Sequence, residues 1–107
     1  MIEFSTLDEI EQVIHSQPLV LVYISRENCS VCHALLPQVE CILEDFKEVT
    51  GIFLSADKLP EAASRFEVLT APAVLLYADG KEKWRGARFI QQMELRHQLT
   101  QWTNALK

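Results

Sequence analysis

No stretch of this chain approaches the ~20 consecutive apolar residues that span a bilayer, and Met1-Ile2-Glu3-Phe4-Ser5 has neither the basic start nor the apolar core of an export signal. If the numbering begins at the native start, the expected location is cytoplasmic and no membrane partner is expected. Cations are scarce: ten Lys and Arg stand against fifteen Asp and Glu, a net charge of −5. That balance argues against a phosphate backbone as ligand, so nucleic acid is not an expected partner. Cysteine is also sparse, with three residues, an odd number. In a reducing compartment, three cysteines point to catalysis or metal binding rather than a disulfide framework. There is no internal repeat, low-complexity tract or linker. A chain of 107 residues, 49% of them hydrophobic, can bury one ordinary core, and a single domain over residues 1–107 is expected.

What is present centres on Tyr23-Ile24-Ser25-Arg26-Glu27-Asn28-Cys29-Ser30-Val31-Cys32-His33. The apolar run Leu19 to Ser25 reads as a strand buried on both faces. Val31, Leu35, Leu36, Val39, Ile42, Leu43 and Phe46 then recur on one helical face, predicting a helix over about Cys32 to Glu48 with a kink at Pro37. Two cysteines spaced C-x-x-C therefore lie where a strand hands over to a helix. The unpaired N–H groups and positive dipole end of a helix start favour a thiolate on Cys29, and the thiolate is the reactive form. Cys32 falls on the apolar stripe, which predicts a buried partner.

Elsewhere, Thr6-Leu7-Asp8-Glu9 has the form of a capping box and opens a helix to about Ser16. Gly51 to Asp57 reads as a strand, and Pro60 to Phe66 as a short helix with Pro in its first turn. Ala73 to Ala78 is another apolar strand, Asp79-Gly80 a hairpin turn, and Glu82 to Arg85 its returning strand. Ile90 to Leu106 reads as a last helix, with Met93 among its packing residues. With a short first strand at Ile2 to Phe4, the order predicts an α/β fold: a mixed central sheet of four to five strands with helices on both faces.

The ordered set Cys29-Ser30-Val31-Cys32 after a strand, Pro37, Thr70-Ala71-Pro72 before a strand, Asp79-Gly80 and Gly86 resembles the thioredoxin family along nearly the whole chain. The resemblance implies a thioredoxin fold and thiol–disulfide exchange in cell redox homeostasis and electron transport, with no cofactor. Cys29 would attack a substrate disulfide, and Cys32 would resolve the mixed disulfide. It further implies a cis bond before Pro72, and a substrate groove formed by Asn28, Ser30, Val31, Ala71 and Pro72 with Gly86 and Ala87 at its floor. The implied partners are protein disulfides and an upstream electron donor such as a thioredoxin reductase, met by a monomer.

The departures are specific. Ser30-Val31 replaces the family's Gly-Pro, Tyr23 stands at its buried Asp, Phe53 at its buried Lys, and Asn28 at its Trp. Tyr23 and His33 become the candidate modulators, although a phenol with an ordinary pKa of about 10 is a poor base near neutral pH. A Ser30 hydroxyl donated to the Cys29 thiolate would make the disulfide a better oxidant. Two other chemistries share the motif. Cys-x-x-Cys-His also attaches c-type haem, which requires export and a haem cavity. A zinc site would need Cys29, Cys32, His33 and a fourth ligand, yet Cys41 lies nine residues beyond Cys32 along the helix, about 13.5 Å away. No metal is expected. The alternative function is a thioredoxin-like binding or adaptor module with weak turnover, motivated by the missing Trp, Asp and Lys.

Overall fold

The structure, a computed structural model, describes residues 1–106. In chain order, β1 (Ile2–Glu3), α1 (Leu7–Ser16), β2 (Leu19–Ser25), α2 (Ser30–Glu44), β3 (Thr50–Ser55), α3 (Pro60–Arg65), β4 (Ala73–Ala78), β5 (Lys81–Ala87) and α4 (Gln92–Ala105) build one five-stranded sheet of order β1-β3-β2-β4-β5. β2 runs parallel to β3 and antiparallel to β4, so the sheet is mixed.

Strand alternation divides the core into two layers. Val20, Val22 and Ile24 of β2 pack with Ile10 and Ile14 of α1 and with Ala62 and Phe66 at α3. Leu19, Leu21 and Tyr23 point the opposite way, into a layer with Leu35, Val39 and Ile42 of α2 and Leu95 and Leu99 of α4. Covering both faces of β2 favours apolar side chains along it, which explains the run Leu19 to Ile24, with the Tyr23 hydroxyl hydrogen-bonded and the small Ser25 buried at the strand's end. All seven of its residues are buried.

Local chemistry fixes the element ends. Thr6 accepts from the Glu9 N–H while the Glu9 carboxylate accepts from the Thr6 N–H, closing the capping box of α1. Asp79 and Gly80 both take positive φ, 51° and 79°, the pair of left-handed residues that a two-residue hairpin turn demands. The last helix is shorter than its periodicity suggests, beginning at Gln92, and Met93 is 83% exposed rather than packed. Pro37 lies inside α2 without ending it. The helix also starts two residues earlier than expected, because Cys29 itself supplies the cap: its Sγ accepts from the Cys32 N–H at 3.1 Å.

The topology brings distant segments to one end of the sheet. β2 finishes at Ser25, and its Ile24 lies opposite Ala73, the first residue of β4. Ala73 in turn lies opposite Ala87, the last residue of β5. The loops after β2, before β4 and after β5 therefore meet at the same edge.

Candidate functional site

Cys29 and Cys32 form a disulfide, with Cα atoms 5.2 Å apart. Their environments are unequal. Cys29 is partly exposed at the N-cap of α2, and Cys32 is completely buried beneath it. The same N–H that caps the helix points at Cys29 Sγ, so the backbone group that orders the helix start would stabilise a thiolate there after reduction.

Across from the pair, the Ala71–Pro72 peptide is cis and the Ala71 carbonyl oxygen lies 4.0 Å from Cys29 Sγ. An open groove of about 450 Å³ runs between these segments, lined by Asn28, Cys29, Ser30, Val31, Ala71 and Pro72. Its remaining wall is formed by Arg26, Arg88 and Phe89. Gly86 and Ala87, the expected floor, are not among the residues that line it, although the next residue, Arg88, is. Both still belong to β5, paired with Val74 and Ala73. The space above Gly86 is taken by the Trp84 ring and Ile90, 2.9 and 3.2 Å from where a Cβ would sit, while Ala87 borders a separate hollow with Glu67, Leu69 and Thr70. The small residue at 86 makes room for the Trp84 ring and Ile90, Ala87 is exposed, and the groove wall on this side begins at Arg88.

Beneath the disulfide, Tyr23 is fully buried and its phenol donates a hydrogen bond to the Cys32 carbonyl. Its ring stacks on Phe53, the residue opposite it on β3, with centroids 6.2 Å apart and planes 25° from parallel. The two positions at which the resemblance expects a buried Asp and Lys thus hold a neighbouring aromatic pair. Burial pushes the Tyr23 phenol up to about 12, so it stays protonated throughout the neutral range and acts as a donor, not a base.

His33 is exposed and turns toward the preceding loop. Its Nε2 lies 2.8 Å from the Glu27 carbonyl oxygen, which can only accept, so that nitrogen carries the proton. The ring ties the first turn of α2 to the loop that carries Arg26 and Asn28. Cys41 is an exposed free thiol further along α2. Among the described residues, no group of three or more His, Cys, Asp or Glu side chains could hold a metal ion, and no helix is long and apolar enough to cross a membrane.

Arg26, Arg88 and Phe89 were not visible as groove residues in the sequence. None carries a motif, and each reaches the groove only because three loops converge. The register that brings them together depends on the whole sheet.

Comparison with known proteins agrees with this arrangement. The thioredoxin family model matches residues 2–101. The thioredoxin-like protein YdfQ of Bacillus subtilis is 40% identical over 94 residues, covering 88% of this chain and 84% of that protein. Thioredoxin 1 of Chlorobaculum tepidum is 30% identical over 95 residues, covering 88% and 92%. Among solved structures, Fasciola hepatica thioredoxin superposes with a TM-score of 0.86 at 26% identity, covering 94% of this chain and 98% of that one. With a cysteine pair bridged at a helix start, and with relatives matched along most of their length, this chain belongs to the thioredoxin family and is a thiol–disulfide oxidoreductase.

Proposed function

We propose that Cys29 is the attacking thiol, Cys32 the resolving thiol, and the groove between Asn28, Ser30, Val31, Ala71 and Pro72 the seat of an extended substrate segment. The observation that carries this assignment is the asymmetry of the pair: one sulfur is reachable from the groove and capped by an N–H, the other is buried. In the reduced protein, the Cys29 thiolate attacks one sulfur of a substrate disulfide. The S–S bond breaks, a substrate thiolate leaves, and a mixed disulfide remains. Cys32 then loses its proton and attacks Cys29 Sγ, releasing the second substrate thiolate and forming the bridge seen here. Two electrons pass to the substrate, and an upstream dithiol donor of the thioredoxin reductase kind must return them.

The Cys32 proton needs an acceptor other than Tyr23, whose hydroxyl is itself a protonated donor to the Cys32 backbone. The departing substrate thiolate, generated beside Cys29, is the nearest base that the reaction creates. Residues 1–107 act in this reading as a single cytoplasmic, monomeric domain in redox homeostasis and electron transport, without cofactor or metal.

Reduction of a protein disulfide driven by dithiothreitol tests it. Turnover above free dithiothreitol, abolished by Cys29→Ser, is the expected result. A wild-type rate equal to that of free dithiothreitol would reject exchange in favour of a binding module that keeps the groove without turnover.

A further inference from the structure

The groove beside Cys29 is positively charged in a chain of net charge −5. Its lining includes two arginines, Arg26 and Arg88, and no Asp or Glu. The two differ in their surroundings. Arg26 lies 4.0 Å from Asp57, a carboxylate that also accepts from the Glu27 N–H. Arg65, Arg85 and Arg96 are likewise paired, with Glu11, Glu82 and Asp45. Among the described residues, Arg88 is the arginine with no carboxylate partner. Its guanidinium instead lies 5.9 Å from the centroid of the Phe89 ring, which is 83% exposed.

The backbone holds this pair in place. Arg88 has φ 68°, a left-handed conformation that side-chain-bearing residues seldom adopt. The Phe89 N–H donates to the Ala87 carbonyl at 2.8 Å, closing a three-residue γ-turn of the rarer, strained hand around Arg88. The Arg88 N–H donates to the Pro72 carbonyl at 2.7 Å. A strained non-glycine residue is thus bonded directly to the proline that faces the cysteine pair. Backbone strain of this kind persists where the surrounding structure over-determines it, and it collects at binding sites. The same two residues continue into an adjoining hollow with Val31, Ala34, Leu35 and Ile90, again without an acidic lining residue.

We propose that Arg88, presented by this turn over the Phe89 ring, selects substrates whose disulfide is flanked by a carboxylate. Charge complementarity sets the preference: an unpaired guanidinium in a groove free of carboxylates lowers the barrier to encounter with an acidic segment and raises it for a basic one. The Val31 and Phe89 side chains, 50% and 83% exposed, then offer the segment an apolar ledge beside the reacting sulfur. This inference rests on the exchange reading above and names its substrate class.

The test uses three symmetrical peptide disulfides, identical except for Asp, Asn or Lys beside the cysteine, with dithiothreitol as reductant. In low salt, kcat/KM should fall in the order Asp, Asn, Lys, with about fivefold between neighbours, the scale of one exposed charge pair. The spread should shrink toward unity in half-molar salt. Arg88→Glu should invert the order, and Arg88→Lys should keep its direction. Wild-type rates within twofold of one another, or an Asp preference that survives in Arg88→Glu, would overturn the proposal while leaving exchange intact. Failure of the wild type to turn over any of the three peptides above free dithiothreitol would overturn both. Because each protein is judged by its own ratio between peptides, a general loss of activity in a variant does not obscure the result.

Discussion

Replacing Tyr23 by Phe removes one oxygen from the centre of this protein and separates two roles for that residue. The phenol is fully buried and donates to the Cys32 carbonyl, which as a first-turn helix carbonyl also faces the N–H four residues ahead. The carbonyl therefore keeps one donor in the variant, and the ring keeps its stack on Phe53. The loss is one buried neutral hydrogen bond, about 0.5–1.5 kcal/mol, or a fall in Tm of roughly 4 °C for a domain of this size. Exchange is a different matter. With its pKa pushed up to about 12, about one phenol in a thousand is ionised at pH 9, so deleting it should change the exchange rate less than twofold from pH 6 to 9. Thermal unfolding and a stopped-flow disulfide-exchange profile measure the two effects separately. The sign at high pH is also fixed. A folded pKa above the unfolded value of about 10 gives stability that is complete below pH 10 and lost between pH 10 and 12, at about 1.4 kcal/mol per pH unit. Tyr23→Phe should lack that alkaline loss. A tenfold fall in exchange, or a limb missing from its neutral pH profile, would refute the reasoning and make Tyr23 part of the proton path.

Thr6→Ala opens the capping box of α1 and should cost about 1 kcal/mol by urea denaturation, with exchange untouched. Gly86→Ala places a Cβ 2.9 Å from the Trp84 ring and 3.2 Å from Ile90. It should destabilise the protein by about 1–3 kcal/mol, visible as a lower midpoint in chemical denaturation and a changed tryptophan fluorescence. Among the described residues, the donor to Cys29 Sγ is the Cys32 N–H rather than the Ser30 hydroxyl. Ser30→Ala should accordingly move the reduction potential by less than about 30 mV, the shift of a tenfold change in equilibrium constant, when equilibrated against glutathione.

What could be read in the sequence was local. The seven-residue run of β2, the Thr6 to Glu9 box and the Asp79-Gly80 turn each satisfy a short-range rule, and each appears where that rule puts it. Helix two was harder at its start because cysteine is not among the side chains usually counted as caps, although Cys29 Sγ fills that place. The groove was half legible. Its cysteine loop and Pro72 carry motifs, whereas Arg88 and Phe89 follow an exposed strand with no glycine to announce a left-handed residue. Gly86 was assigned to the groove for its size, but its size accommodates the Trp84 ring, two residues back on the same face of β5, together with Ile90 beyond the strand.

The register of β4 between β2 and β5 has a consequence of its own. Ile24, Ala73 and Ala87 form a single rung across three strands, and the redox loop, Pro72 and the Arg88 turn all hang from it within a few residues. The rung works as a gauge for assembly. A slip of one residue in β4 would carry Pro72 about 3.3 Å along the sheet and turn Val74 and Leu75 to opposite faces, pulling the groove apart without altering a cysteine. A misassembled molecule would still close its disulfide, since both sulfurs belong to one helix start, yet it would have lost the surface on which a partner lies. Thiol counting therefore cannot certify a correctly assembled molecule; selectivity between substrates can.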